Sequence, residues 1–284
     1  MGFKKTAKSI KKKINELTHV KTPIPYPVMQ GTLLKGRNAI ITGGSSGIGF
    51  AIAESFLKNG ANVTICGRNE AKLVSAVKQL NKIAGDGQEV DYLTLDMMDV
   101  AQIEKDLSNY TKKKSFDILV NNAGIGNGSP IGKTSIEDFE AVIKTNLEGT
   151  YYVSQFALNY MKSKKIKGNI FFVASSSSLR PANTPYILSK WGILGLVKGL
   201  AKVGIKDGIV VNGIAPGPTA TAMLQRENTK DISYISNPAG RLAMPEEIAN
   251  LSTVLVSDMG KMVVGDVLFA SGGAGVITFD DVNY

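Results

Sequence analysis

Seven short apolar runs recur along this chain, and helix-length amphipathic segments separate them. The runs are Ala39–Thr42, Val63–Cys66, Val90–Leu95, Ile118–Asn121, Asn169–Ala174, Val210–Ile214 and Val267–Ala270. The segments between them are 47–59, 69–84, 100–113, 136–163, 185–206 and 246–257, the fourth interrupted by Gly149. Strand, helix, strand in repetition demands right-handed crossovers, and hence a parallel sheet covered on both faces. The predicted fold class is α/β, a doubly wound parallel sheet of about seven strands. At roughly 150 residues per domain, a chain of 284 residues would hold two domains. The unbroken alternation, with no internal repeat, instead predicts one domain over 34–284 behind an extension at 1–33.

In that extension Phe3, Ala7, Ile10, Ile14 and Leu17 fall at spacings of four and three, one stripe of an amphipathic helix. Pro23, Pro25 and Pro27 then fix φ and remove amide donors, which makes an extended strap. Seven lysines against Glu16 put +6 of the net +9 in residues 1–21, so only +3 remains on the other 263 residues. That distribution argues against a nucleic-acid-binding surface. The stripe is expected on the protein's own body or a neighbouring subunit. Peripheral contact of residues 1–20 with an anionic membrane or an acidic partner is the alternative. Met1-Gly2-Phe3-Lys4-Lys5-Thr6 also fits a myristoylation pattern. No apolar run reaches the 18 or so residues of a spanning helix, and no secretory signal stretch is present, so the expected location is cytoplasmic.

One cysteine, Cys66, excludes an internal disulfide and any cysteine-cluster metal site. It reads as a small core residue of its strand. One histidine, His19, lies in the extension. Ser-His-Asp and Cys-His catalysis and histidine-based metal sites are therefore excluded, and no metal is expected. Catalysis here must use Tyr, Lys, Ser, carboxylates or a bound cofactor.

The first strand runs into Thr42-Gly43-Gly44-Ser45-Ser46-Gly47-Ile48-Gly49, where a helix begins. Glycines at 43, 47 and 49 permit a sharp turn and close approach of a pyrophosphate, which the helix N-terminus attracts. This predicts a Rossmann-type dinucleotide site. A ligand-free tight turn would need the same glycines. The second strand ends at Gly67-Arg68, where a carboxylate would mark NAD. A guanidinium there suits a 2′-phosphate, and Ser45 and Ser46 can add hydroxyl donors. NADP (NADPH) is therefore the expected cofactor, although Arg68 could be a solvated helix-start residue. Asp96, next to Met97 at the end of the third strand, could accept from an adenine amino group or cap the next helix.

Tyr186 and Lys190 stand at i and i+4 on one helix face. An ordinary Tyr, with a pKa near 10, is almost wholly protonated at neutral pH; a nearby cation lowers that value. Upstream, the strand over 169–174 ends in the hydroxyl of Ser175.

With these motifs the sequence resembles the short-chain dehydrogenase/reductase family over about residues 36–275. The glycine motif, Asn121-Asn122-Ala123-Gly124, Asn146 before Leu147, Ser175, Tyr186 with Lys190, and Asn212 through Thr221 fall in family order. Arg241 and Pro245 to Ala249 follow the pattern too. The resemblance implies hydride transfer between nicotinamide and a carbonyl or secondary alcohol. Tyr186 would be the proton donor or acceptor. Lys190 would lower its pKa and hold the nicotinamide ribose. Ser175 would donate to the carbonyl oxygen, and Asn146 would hold a relay water and stabilise the irregular middle of the long helix. Gly43, Ser45, Ser46, Gly47, Ile48, Gly49, Arg68, Asp96, Met97, Asn122, Ala123, Gly124, Pro216, Gly217, Thr219 and Thr221 complete the expected cofactor set. It further implies a homo-oligomer, tetramer or dimer, through 136–163 and 185–206.

Two departures stand out. The Ser175-to-Tyr186 interval is about two residues short of the family's usual spacing, which places the deletion in the loop after Ser175, with Ser176 or Ser177 the donor if the strand shifts. Ser271 stands where members often carry Asp. A ketoacyl-type reductase is the default substrate assignment. The reading from another class is a non-catalytic dinucleotide-binding regulator or scaffold, disfavoured because all four catalytic positions are occupied.

Overall fold

The computed structural model describes residues 31–126, 129–224, 226–227 and 229–278. The apolar stripe with its lysines, the proline strap, the myristoylation pattern and His19 lie outside the described residues.

Seven strands form one wholly parallel sheet: β1 (Asn38–Thr42), β2 (Asn62–Gly67), β3 (Val90–Thr94), β4 (Ile118–Asn121), β5 (Asn169–Val173), β6 (Val210–Pro216) and β7 (Val267–Ala270). Their order is β3-β2-β1-β4-β5-β6-β7. Consecutive strand residues face opposite layers, as a pleat with both sides covered requires. Ile41, Val120, Phe171 and Ile214 join one apolar core; Ile40, Leu119, Phe172 and Val211 join the other.

Helices α1 (Gly47–Lys58), α2 (Glu70–Leu80) and α7 (Pro245–Val256) cover the first face through Phe56, Leu73 and Val256. Helices α3 (Val100–Thr111), α5 (Gly149–Ser163) and α6 (Pro185–Gly204) cover the second through Leu107, Met161 and Val197. The chain reverses direction across the sheet between β1 and β4, and such a switch point opens a crevice at the strands' carboxyl ends. Among the described residues no helix is long and apolar enough to cross a membrane.

The fourth helical segment differs from its predicted form. It comprises α4 (Ile136–Ile143), a π-helical turn over Lys144–Glu148, and α5. The irregularity contains Asn146, as the family resemblance implies, and ends at Gly149. Gly149 answers a packing demand, since a Cβ there would overlap the Met97 carbonyl.

Candidate active site

The glycine turn after β1 places Gly43 and Gly47 at φ 65° and 56°, a left-handed conformation that side chains resist. Ser46 precedes α1 without a side-chain capping bond, so the helix's first N–H groups face the crevice. Gly49 serves packing: a Cβ there would overlap the Asn122 side chain and the Gly43 carbonyl. Asn122 Nδ2 donates to the carbonyls of Thr42 and Gly43, both at 3.0 Å. Thr42 Oγ1 accepts from the Asn122 and Ala123 amides at 3.0 Å. The segment after β4 is thus laced to the glycine turn.

A crevice of about 450 Å³ follows. Gly43, Ser45, Ser46, Gly47 and Ile48 line it, with Arg68, Met97 and Asn122 to Gly124 opposite. Asp96 is placed differently from its expectation. It is outside the lining, and its Oδ1 accepts the Met98 amide at 2.9 Å. Nor does it cap α3, since Asp99 takes that place, accepting from Gln102 N at 3.1 Å. Leu95 and Met97 form the wall at this strand end.

A second cavity, of about 500 Å³, adjoins the crevice. Ile48, Asn122, Gly124, Thr221 and Met223 line both. Ser175, Tyr186, Lys190, Pro216, Gly217 and Thr219 line the second. Thr184 caps α6 by accepting from Ile187 N at 3.2 Å, with Pro185 in the first turn, and this start puts Tyr186 and Lys190 on the cavity wall. The Ser175 hydroxyl and the Tyr186 phenol share this wall. The shortened loop is taken up by one 3-10 turn, Ser176–Leu179, which Ser175 caps through the Ser177 amide. Ser175, rather than Ser176 or Ser177, is the serine that acts on the Tyr186 phenol.

Asn146 sits in the π turn. Its Oδ1 accepts from Ile125 N at 2.8 Å, and its Nδ2 donates to Ile125 O and Ser189 Oγ at 3.0 and 3.2 Å. Both amide donors are engaged, so only the remaining lone pair of Oδ1 is left for a water.

A family model described as "short chain dehydrogenase" matches residues 37–232. The chain belongs to the short-chain dehydrogenase family. It is 38% identical over 250 residues to a 3-oxoacyl-[acyl-carrier-protein] reductase of Chlamydia trachomatis, covering 85% of this chain and 98% of that protein. Among solved structures it is similar to a Brucella melitensis 3-oxoacyl-[acyl-carrier protein] reductase with bound NAD, at TM-score 0.79 and 26% identity, over 90% of this chain and 99% of that one. A gluconate 5-dehydrogenase of Burkholderia cenocepacia in complex with NADP and tartrate aligns at TM-score 0.76 and 30% identity, over 84% and 95%.

For this short-chain dehydrogenase the electrostatics differ from the sequence expectation. Burial pushes the Tyr186 phenol above its ordinary value, and the Ser175 hydrogen bond pulls it partway back. Lys190 Nζ lies 5.7 Å from the phenol ring centre and donates to Val173 O at 3.1 Å. Burial also pushes Lys190 down to about 8. Desolvation is therefore the largest influence on both groups of the pair.

The short-chain dehydrogenase also places residues that sequence reading passed over. Lys72, four residues after Arg68, lines the Arg68 end of the crevice beside Asn69, whose Oδ1 accepts the Lys72 amide at 3.0 Å. The i, i+4 spacing from Arg68 was the available signal. Thr145 lines the crevice, and its buried Oγ1 has no partner among the described residues. Arg180 lines the second cavity. No local pattern marks it.

Proposed function

We propose that this chain is an NADP-dependent carbonyl reductase, reversible as a secondary-alcohol dehydrogenase, with Tyr186 exchanging the proton. The observation that carries this reading is the placement of Ser175, Tyr186 and Lys190 together on the wall of a cavity that shares residues with the glycine-turn crevice. The crevice fits a dinucleotide. It offers an uncapped helix N-terminus, a buried unpartnered Thr145 hydroxyl, and the cations Arg68 and Lys72 with no Asp or Glu among its described lining residues. Arg68, Lys72 and Ser45 are suited to the 2′-phosphate that distinguishes NADP from NAD.

When bound, the nicotinamide supplies the hydride in reduction and accepts it in oxidation. In reduction, the Tyr186 phenol gives its proton to the carbonyl oxygen, and Ser175 donates a hydrogen bond where charge develops. The Lys190 ammonium stabilises the phenolate left behind. Asn146 holds the π turn to Ile125 and Ser189, which keeps α6 in register. A 3-oxoacyl thioester is the first substrate to try, by similarity to the Chlamydia trachomatis reductase. Ile136, Phe139, Tyr151, Tyr152, Leu188 and Trp191 are exposed on α4, α5 and α6, which supports assembly with further copies.

The test is NADPH oxidation with a panel of carbonyls by wild type and Tyr186→Phe. Turnover is expected from the wild type, with a loss of about a hundredfold or more in the variant while NADPH binding is retained. Substantial activity in Tyr186→Phe would place the proton donor elsewhere.

A further inference from the structure

The end of the domain opposite the crevice carries an excess of positive charge. Helices α3, α5 and α6 run against the strands, so they end where β4, β5 and β6 begin. The segments that join them, 112–117, 162–168 and 202–209, hold nine lysines against Asp117 and Asp207. The charge of +3 on residues 22–284 is therefore unevenly placed. Acids gather at the other end, with Glu137 and Asp138 in the first turn of α4 and Glu246 and Glu247 in that of α7. The three segments form one surface. Asn169 N donates to Asp117 O at 2.8 Å, and Val210 N to Gly168 O at 2.9 Å. Lys162 Nζ lies 3.1 Å from Asp207 Oδ2.

Most of these lysines have no acidic partner among the described residues. Asp117 is taken by Arg37, and Lys114 meets Glu89 and Asp91. Lys113, Lys164, Lys165, Lys167, Lys202 and Lys206 are exposed and form no ion pair among the described residues. A helix dipole favours a cation within its last turn. That does not account for Lys165 and Lys167, which lie beyond the end of α5. Lys165 even takes φ 56°, where glycine is the unstrained residue after a helix. Val203 and Ile205, 48% and 45% exposed, stand between Lys202 and Lys206. The chain also enters the domain at this end. Gly31 N donates to Lys58 O at 3.2 Å and Leu34 N to Asn59 O at 2.9 Å, where α1 finishes. The residues before Gly31 bring a further +6 and the apolar pattern of Phe3, Ile10, Ile14 and Leu17.

We propose that this lysine face docks on an anionic lipid bilayer. Lysine is a compact point charge on a flexible stem, suited to a diffuse field of headgroups. Nucleic-acid and protein partners are met by arginine forks and exposed aromatic side chains. The three segments contain no arginine, and their one aromatic residue, Phe116, is buried. Lysines around exposed aliphatic side chains are the makeup of a surface that rests in the headgroup region. Docked in this way, the crevice and the cavity at the strands' carboxyl ends face the water, so cofactor and substrate enter from the aqueous phase. The proposal does not depend on the hydride-transfer reading.

The test is sedimentation of the full-length protein with two kinds of vesicle, phosphatidylcholine alone and phosphatidylcholine mixed with phosphatidylglycerol. The wild type is expected to sediment with the mixed vesicles, not with phosphatidylcholine alone, and to be released by high salt. A lysine at an anionic surface is worth about fivefold in binding. Lys164→Gln combined with Lys167→Gln should therefore weaken binding to the mixed vesicles about tenfold or more. Lys133→Gln combined with Lys230→Gln removes the same charge from the loops after β4 and β6, at the opposite end. That variant should bind within about twofold of the wild type, because screening confines the attraction to nearby charges. Absence of sedimentation with the mixed vesicles overturns the proposal, and retention on poly-L-glutamate would then assign the face to an acidic protein. Equal weakening by the two double variants, or none by either, also overturns it. The attraction would then come from net charge, or from the residues before Gly31 alone.

Discussion

Replacing Lys190 with Met should stabilise the cofactor-free protein while removing activity. The ammonium is 6% exposed, and burial lowers its pKa from the ordinary 10.5 to about 8. A fall of that size is worth about 3 kcal/mol of preference for the neutral form. Met matches the stem without the charge, but it strands the Val173 carbonyl that accepts from Nζ. An orphaned neutral acceptor costs about 1 kcal/mol. The expected net gain at pH 7 is about 2 kcal/mol.

The gain must depend on pH, and its sign is fixed by the direction of the shift. Below pH 8 the lysine is protonated in both the folded and unfolded chain, and the wild type carries the whole penalty. Between pH 8 and 10.5 the folded chain has lost the proton and the unfolded chain keeps it, so wild-type stability rises with pH relative to the variant. By pH 9.5 the variant's advantage should shrink to about zero. Urea denaturation at both pH values measures this. A difference that does not change with pH, or a variant less stable by the same amount at both, would refute the desolvation argument. Loss of turnover alongside the gain is the trade-off expected of a strained functional group.

Arg68→Ala should weaken NADPH binding about 10- to 100-fold and leave NADH little changed, read by fluorescence titration; parallel loss of both nucleotides would show that Arg68 does not meet the 2′-phosphate. Thr145→Val removes a buried hydroxyl with no described partner, so the free protein should gain about 1 kcal/mol while NADPH binds more weakly. Unchanged affinity would show that the hydroxyl does not face the cofactor. Gly149→Ala drives a methyl into the Met97 carbonyl and should cost about 1–3 kcal/mol in thermal or urea unfolding, with loss of cofactor affinity through displacement of the crevice wall.

Much of this protein was legible because its signals are local. A buried parallel strand needs a short apolar run, and its crossover needs an amphipathic helix. All seven strands and the helices around them therefore announce themselves in hydropathy alone. β4 and β7 match their predicted limits, and other ends moved by a few residues where capping, not hydropathy, sets the boundary. The glycines of the turn after β1 are legible because only glycine tolerates φ near +60° there. Tyr186 and Lys190 are legible because helical spacing puts i and i+4 on one face.

What the sequence could not decide depends on atoms brought together from distant positions. Four serines follow β5, and only the tertiary packing decides that Ser175 is the one that acts on the Tyr186 phenol. Gly149 reads as a helix interruption until the Met97 carbonyl, some fifty residues upstream, is seen against it. Asp96 reads as a possible cap of the next helix until Asp99 is found in that place, with the Asp96 carboxylate accepting the Met98 amide. Periodicity encodes which face of an element is apolar, so the sequence by itself determined the sheet, its covering layers and the helix that bears the reactive pair. Desolvation is a property of the assembled surroundings. Only the tertiary structure decided that the Tyr186 phenol sits above its ordinary pKa, that Lys190 sits near 8, and that Arg180 lies buried in the wall of the same cavity.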